Sequence, residues 1–122
     1  MEIRGIRALG RLGEEMACDF LLSLGHRILQ RNWHGSHLEV DIISEAPDGV
    51  HFVEVKTRQG SGAAPEEKVD GRKQRRISAA ALKYLNESGS DREVFFDVVT
   101  VLLDGTITEV RYFPQAWIPM YT

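Results

Sequence analysis

The residues of this chain best suited to chemistry lie between His37 and Arg58: Glu39, Asp41, Glu54, Lys56 and Arg58, carried on two short alternating runs. The runs are Leu38 to Ile43 and His51 to Arg58, joined through Ala46-Pro47-Asp48-Gly49. Period-two alternation on either side of a Pro-Asp-Gly turn signal predicts a β-hairpin. Leu38, Val40 and Ile42 share one face of the first arm, and Val53 and Val55 one face of the second. For those apolar faces to coincide, paired residue numbers must sum to an odd value, because a slip of one residue turns an arm over. That parity places Glu39 and Asp41 on the side of Glu54, Lys56 and Arg58. Three carboxylates on one patch of sheet repel one another. Two arrangements relieve them: a solvated face salt-bridged by Lys56 and Arg58, or a bound divalent cation, since carboxylates are the preferred ligands of magnesium. The charges alone do not choose between the two.

Composition narrows the setting. With 122 residues, 43% hydrophobic and 27% charged, the chain has the make-up of one globular domain, residues 1–122. Its apolar runs are too short to span a bilayer, and the start, with Glu2, Arg4 and Arg7, is not a secretory signal, so a cytoplasmic location away from membranes is expected. One cysteine, Cys18, excludes an internal disulfide and fits a packing or surface role better than a reactive one. A formal net charge of −3 disfavours a uniformly basic nucleic-acid binder. Positive charge is nevertheless concentrated at Lys56, Arg58, Arg72, Lys73, Arg75 and Arg76, and local patches decide docking on phosphates.

The hairpin must be held by its neighbours. Leu9, Leu12, Met16, Ala17, Phe20, Leu21 and Leu24 recur at helical spacing ahead of Gly25. Glu14 sits at the edge of that stripe, where it either reaches across the packed element or keeps its head in water. His26 to Trp33 reads as a short strand with Trp33 as a core or edge anchor, and His34, His37 and His51 as solvent-facing, because they lack zinc-motif spacing. Gln59 to Pro65 forms a flexible connection, and Pro65-Glu66-Glu67 can begin a helical turn. Asp70 caps a helix that runs to about Asn86 with Ile77, Ala80, Ala81, Tyr84 and Leu85 as its stripe. The cations in its first turns oppose the helix dipole, a conflict that a bound phosphate would remove and that solvent also tolerates.

Glu93 to Leu103 is apolar on both faces, as expected of a strand covered from two sides. Asp104-Gly105 turns it into Thr106 to Tyr112, with Pro114 and Pro119 ending regular structure and Trp117 and Ile118 packing on the body. Helix, strands, helix and strands in that order predict an α/β chain with a mixed β-sheet flanked by helices.

Read together, Gly10-Arg11-Leu12-Gly13-Glu14, Ile28-Leu29-Gln30-Arg31-Asn32-Trp33, Glu39-Val40-Asp41-Ile42-Ile43, Phe52-Val53-Glu54-Val55-Lys56-Thr57-Arg58, Lys73 with Arg76-Ile77, Ala81 with Tyr84-Leu85, and Phe96-Asp97-Val98-Val99 resemble the YraN family of small bacterial proteins. That family is similar to archaeal Holliday-junction resolvases and to restriction endonucleases of the PD-(D/E)xK class. The resemblance spans roughly Gly10 to Thr100. It implies a restriction-endonuclease-like core and a metal-dependent phosphodiesterase site with Asp41 as the motif's aspartate, Glu54 its acidic residue, Lys56 its lysine and Glu14 the glutamate of the first helix. The chain departs from the family at Leu38, where glycine is usual, and at His34, where arginine is common.

The chemistry of the residues agrees with that implication. Phosphodiester hydrolysis needs charge neutralisation and an activated water, and a metal ion supplies both. Asp41 and Glu54 would hold magnesium, with manganese as the alternative ion, the Val55 backbone carbonyl as a third ligand, and Glu14 completing the shell. Lys56, about 6.6 Å from Glu54 along the same face, would orient the nucleophile or touch the phosphate. Arg58, Arg72, Lys73, Arg75 and Arg76 would bind the nucleic acid. The expected function is hydrolysis of DNA, including branched or damaged DNA, by a chain whose pairing as a homodimer would suit a symmetric junction. The competing readings are a catalytically silent nucleic-acid-binding module on the same scaffold and an adaptor docking through Thr106 to Tyr112, Trp117 or Tyr121.

Overall fold

The alternating segments become five strands and the two amphipathic stripes become helices in the computed structural model, which describes residues 5–60, 68–105 and 107–118. Their order is α1 (Ile6–Ser23), β1 (Arg27–Gly35), β2 (Leu38–Ala46), β3 (Gly49–Gln59), α2 (Gly71–Ser88), β4 (Val94–Asp104) and β5 (Ile107–Trp117). The strands form one sheet in the order β1-β2-β3-β4-β5. β3 and β4 are parallel, as a crossover through α2 requires, and the other three pairs are antiparallel. The expected mixed sheet flanked by helices is therefore present.

Each helix covers one face. Ala17, Cys18 and Leu21 of α1 pack on Ile42, Val53, Val99 and Val101. Ile77, Ala80 and Ala81 of α2 pack on Ile43, Phe52, Phe96 and Val98 from the other side. Alternate residues of β3 and β4 thus feed opposite clusters, which is why β4 is apolar throughout. Cys18 is a buried free thiol, and burial pushes its pKa up. Leu24, expected in the α1 stripe, is 50% exposed because it lies beyond the last turn, at the helix C-cap.

α1 approaches β3 most closely at Gly13, where an added Cβ would lie 1.9 Å from Thr57 Oγ1. Glycine is required there by space, and this contact sets the position of Glu14 on the next residue. α2 begins as expected: the Asp70 carboxylate accepts the Lys73 N–H at 2.9 Å, satisfying one of the free donors of the first turn. Two residues past the expected Asn86 the helix ends at Ser88, and at Gly89 the chain turns left-handed (φ 68°).

The β2–β3 register pairs Ile42 with Val53 and Ile43 with Phe52, sums of 95, in agreement with the odd parity read from the apolar faces. The ladder stops there. From Asp41 back to Leu38, β2 pairs only with β1, so the sheet forks as β3 continues to Gln59 beside β4. Alternation also breaks at the fork. Val40 packs in the α2-side cluster with Leu38 and Trp33, whereas Ile42 packs in the α1-side cluster. The expected common face of Leu38, Val40 and Ile42 is corrected accordingly. Asn32, facing this stretch from β1, has φ 51°, a left-handed residue of the kind that re-aims a strand.

Three other expectations change. β5 does not end at Pro114 but continues to Trp117 past a register shift, because an edge strand can accommodate a proline. Trp117 is buried as expected, but Ile118 is 83% exposed. His51 is buried instead of solvent-facing, held between two carboxylates. The helical turn expected at Pro65-Glu66-Glu67 and most of the Gln59 to Pro65 connection lie outside the described residues, as does Tyr121. No helix among the described residues is long and apolar enough to cross a membrane.

Candidate active site

The fork creates the site. Where β2 leaves β3, the N–H of Val55 loses its ladder partner, and the Asp41 side chain replaces it, accepting that N–H at 2.8 Å. This contact holds the Asp41 carboxyl beside the Glu54 carboxyl. Glu54 is 6% exposed and faces the α2 side. Two carboxyls this close in a buried setting do not both ionise readily. Burial first, then the hydrogen bond to Glu54 and its charge, push Asp41 up to about 9, and the Glu14 charge adds to the rise.

Across the pair stands a cation that sequence reasoning assigned to nucleic acid alone. Lys73 Nζ is 2.5 Å from Glu54 Oε2. Burial disfavours its charge, but the hydrogen bond to Glu54 and the carboxylates of Glu54, Asp41 and Glu39 outweigh that and raise its pKa. The signal available in the sequence was position: Lys73 occupies the third residue of the helix that Asp70 starts.

Glu54 of the pair opens on a cavity of about 720 Å³ whose wall also includes Lys56, Arg58, Lys68, Asp70 and Lys73. Four cations there face two carboxylates, so the cavity favours anions. Lys56 shares the Glu54 face and donates to the Lys68 backbone carbonyl. Arg58 is exposed, its guanidinium on the Thr57 carbonyl at 3.1 Å. A second cavity of about 370 Å³ continues along α2 between Arg72, Lys73, Arg76, His37 and Glu39, and Arg76 donates to the His37 carbonyl at 2.8 Å.

The structure therefore brings Asp41, Glu54, Val55 and Lys73 into direct contact and sets Lys56 and Arg58 on the same cavity wall. Glu14 is half-buried on α1 and acts on Asp41 through its charge. Arg72 and Arg76 line the adjoining cavity, and Arg75 is exposed without lining either one. Glu39, expected in the acidic patch, is instead exposed and hydrogen bonds His34 Nε2 at 3.1 Å, because the strand re-aims at Asp41. Among the described residues no three His, Cys, Asp or Glu side chains gather as a metal cluster. The donor set still fits magnesium, which is commonly held by one or two carboxylates together with waters and substrate phosphate.

A second buried polar group was missed by sequence reasoning. Asp97 is fully buried and accepts from His51 Nδ1 at 2.6 Å, the Tyr112 hydroxyl at 2.6 Å and the Gln115 N–H at 3.0 Å. His51 Nε2 meets Asp48 at 2.8 Å. Burial alone would lower the His51 pKa, but Asp97 and Asp48 together raise it above its ordinary value. The available signal was an aspartate inside the most apolar strand, which has to find donors.

Comparison with known proteins agrees with the sequence motifs. Residues 13–101 match the model of the family described as Uncharacterised protein family UPF0102. A UPF0102 protein of Syntrophomonas wolfei is 37% identical over 113 residues, 91% of this chain and 98% of that protein. Another from Rhodococcus jostii is 44% identical over 98 residues, 79% of this chain and 83% of that one. Among solved structures, Archaeoglobus fulgidus Hjc, a Holliday junction resolvase, aligns with a TM-score of 0.49 at 16% identity, over 85% of this chain and 75% of that chain. With the family model covering most of its length and relatives matching nearly end to end, the chain belongs to the UPF0102 family, the YraN family whose motifs its sequence resembles.

Proposed function

We propose that this chain is a metal-dependent nuclease that hydrolyses phosphodiester bonds in DNA. The observation that carries the reading is the buried Glu54 carboxyl, with Asp41 beside it at the sheet fork, on the wall of a cavity where Lys56, Arg58, Lys68 and Lys73 gather. Paired buried carboxyls attract a dication, and the surrounding cations attract a phosphodiester. The sequence resemblance to PD-(D/E)xK enzymes supports the same assignment.

Asp41 and Glu54 would hold magnesium or manganese, with the Val55 carbonyl and Glu14 as further ligands. When bound, such an ion neutralises phosphate charge and acidifies water. The chain's own residues do the rest. The Val55 N–H fixes the Asp41 carboxyl in orientation. Lys56, released from the Lys68 carbonyl, places a positive charge on the phosphate or the attacking water, as an electrostatic stabiliser. Arg58, Arg72 and Arg76 grip the backbone on either side, and Arg75 adds longer-range attraction. A two-fold pair of chains would present two such sites to a branched junction.

Purified protein should nick or cut duplex or branched DNA with magnesium or manganese and not with chelator. Glu54→Gln and Lys56→Ala should each lower the rate by about 10²-fold or more. Cleavage that survives both substitutions would overturn the assignment. Salt-sensitive binding without turnover under any divalent ion would instead establish the silent binding module.

A further inference from the structure

Lys73 belongs to two places at once. Its backbone N–H is fixed by the Asp70 cap at 2.9 Å, while its side chain is 54% exposed and ends on Glu54 Oε2. The same side chain lines both the cavity at the carboxyl pair and the one bordered by Arg72 and Arg76. An anchored backbone with an exposed, many-jointed side chain allows the ammonium to swing without moving the helix. On Glu54 it occupies an oxygen that a cation between Asp41 and Glu54 would need, and its charge repels a dication at that distance. In the adjoining cavity the same ammonium would meet a nucleic-acid phosphate.

We propose that Lys73 is a two-position residue coupling the ligands of this site: on Glu54 it closes the carboxyl pair to a divalent cation, and on a nucleic-acid phosphate it leaves the pair open. The inference rests on the nuclease reading and adds regulation to it. The cation enters readily only once nucleic acid has drawn Lys73 away, so the ion is loaded at the moment it has a substrate. Linkage makes the effect reciprocal, and each ligand must tighten the other by the same factor. Lys73 acts through Glu54 and is a positioning residue.

Calorimetric titration of the full chain with Ca²⁺, with and without a short DNA duplex, separates the outcomes. In the wild type the duplex should tighten Ca²⁺ binding by about tenfold, within the usual range of such couplings. Lys73→Met should bind Ca²⁺ about as tightly without DNA as the wild type does with it, and the duplex should then add nothing. Lys73→Arg should keep the coupling. Ca²⁺ affinity that is unchanged or weaker in Lys73→Met, or a duplex effect that persists there, overturns the inference while leaving the nuclease reading intact. Wild-type protein that binds no Ca²⁺ in either state, or binds it equally well as Glu54→Gln, overturns both.

Discussion

Two buried acidic regions sit on the same sheet and are solved in opposite ways. Asp97 is supplied with donors on both oxygens: an imidazole, a phenol and a backbone N–H converge on it, and Asp48 holds the far nitrogen of the imidazole. Every partner comes from the chain, and the group is fully buried. At Asp41 and Glu54 the balance is reversed. Two carboxyls share one backbone N–H and one lysine, and Glu54 lines an open cavity. Acceptors matched by donors from the chain mark a polar group kept for architecture, and a surplus of acceptors marks one kept for a ligand. Burial alone does not distinguish them, since Asp97 and Glu54 are both below a tenth exposed.

The sharpest way to break this comparison is to remove one carboxylate from each region. Asp97→Asn leaves His51 and Tyr112 against a group that no longer carries the charge they require, and should cost about 3 kcal/mol or more. Glu54→Gln keeps the side-chain volume and removes a like charge beside Asp41, leaving only an exposed lysine unpaired, so stability should stay within about 1 kcal/mol of the wild type. Urea denaturation of the two variants checks the contrast, and equal losses would remove it.

A smaller effect is expected at Gly13. Gly13→Ala drives a methyl into Thr57 and should cost about 1–3 kcal/mol. Thr57→Ala in the same chain removes the hydroxyl that is struck first and should recover most of that loss. A double-mutant cycle on unfolding free energies measures the coupling. Additive losses would mean that the helix is not set by this contact.

The smallest effect is in pH. Asp41 and His51 both have folded-state pKa values above their ordinary ones of 3.8 and 6.5, so each favours the folded state while protonated. The Asp41 contribution is complete below about pH 4 and is lost as the pH rises toward about 9. The His51 contribution is complete below about pH 6.5 and is lost above it, as the pH passes its raised folded value. Stability should therefore fall with rising pH over the neutral range. In Glu54→Gln burial still raises Asp41 but the Glu54 charge that adds to the rise is gone, so the fall should flatten in part, most between pH about 4 and 6, where His51 does not yet contribute. A profile of urea midpoints against pH that is unchanged by the substitution would contradict the origin assigned to it.

The hairpin was legible in the sequence because parity narrows the register: the apolar sets of Leu38 to Ile43 and His51 to Arg58 agree only in pairings with an odd sum, and Ile42 with Val53 obeys this. Parity assumes unbroken alternation, however, and the fork at Asp41 breaks it. No local pattern in β2 announces that break, which falls where its pairing with β3 ends. His51 was misread for a related reason. Its partner Asp97 lies 46 residues away on a strand whose parallel pairing is set by the α2 crossover, and sequence spacing carries no trace of that contact. Lys73 was recognised as a cation near the site, but its contact with Glu54 depends on how α2 lies over the sheet.

The bulge in β5 has a consequence for how these molecules meet one another. Pro114 has no N–H, and Gln115 turns its own inward to Asp97, so this stretch of the sheet margin offers no outward row of donors to a foreign strand. Exposed margins are where β-rich chains stick together and aggregate. The residues that satisfy a buried aspartate therefore also blunt the margin, and one local irregularity serves both internal order and colloidal behaviour.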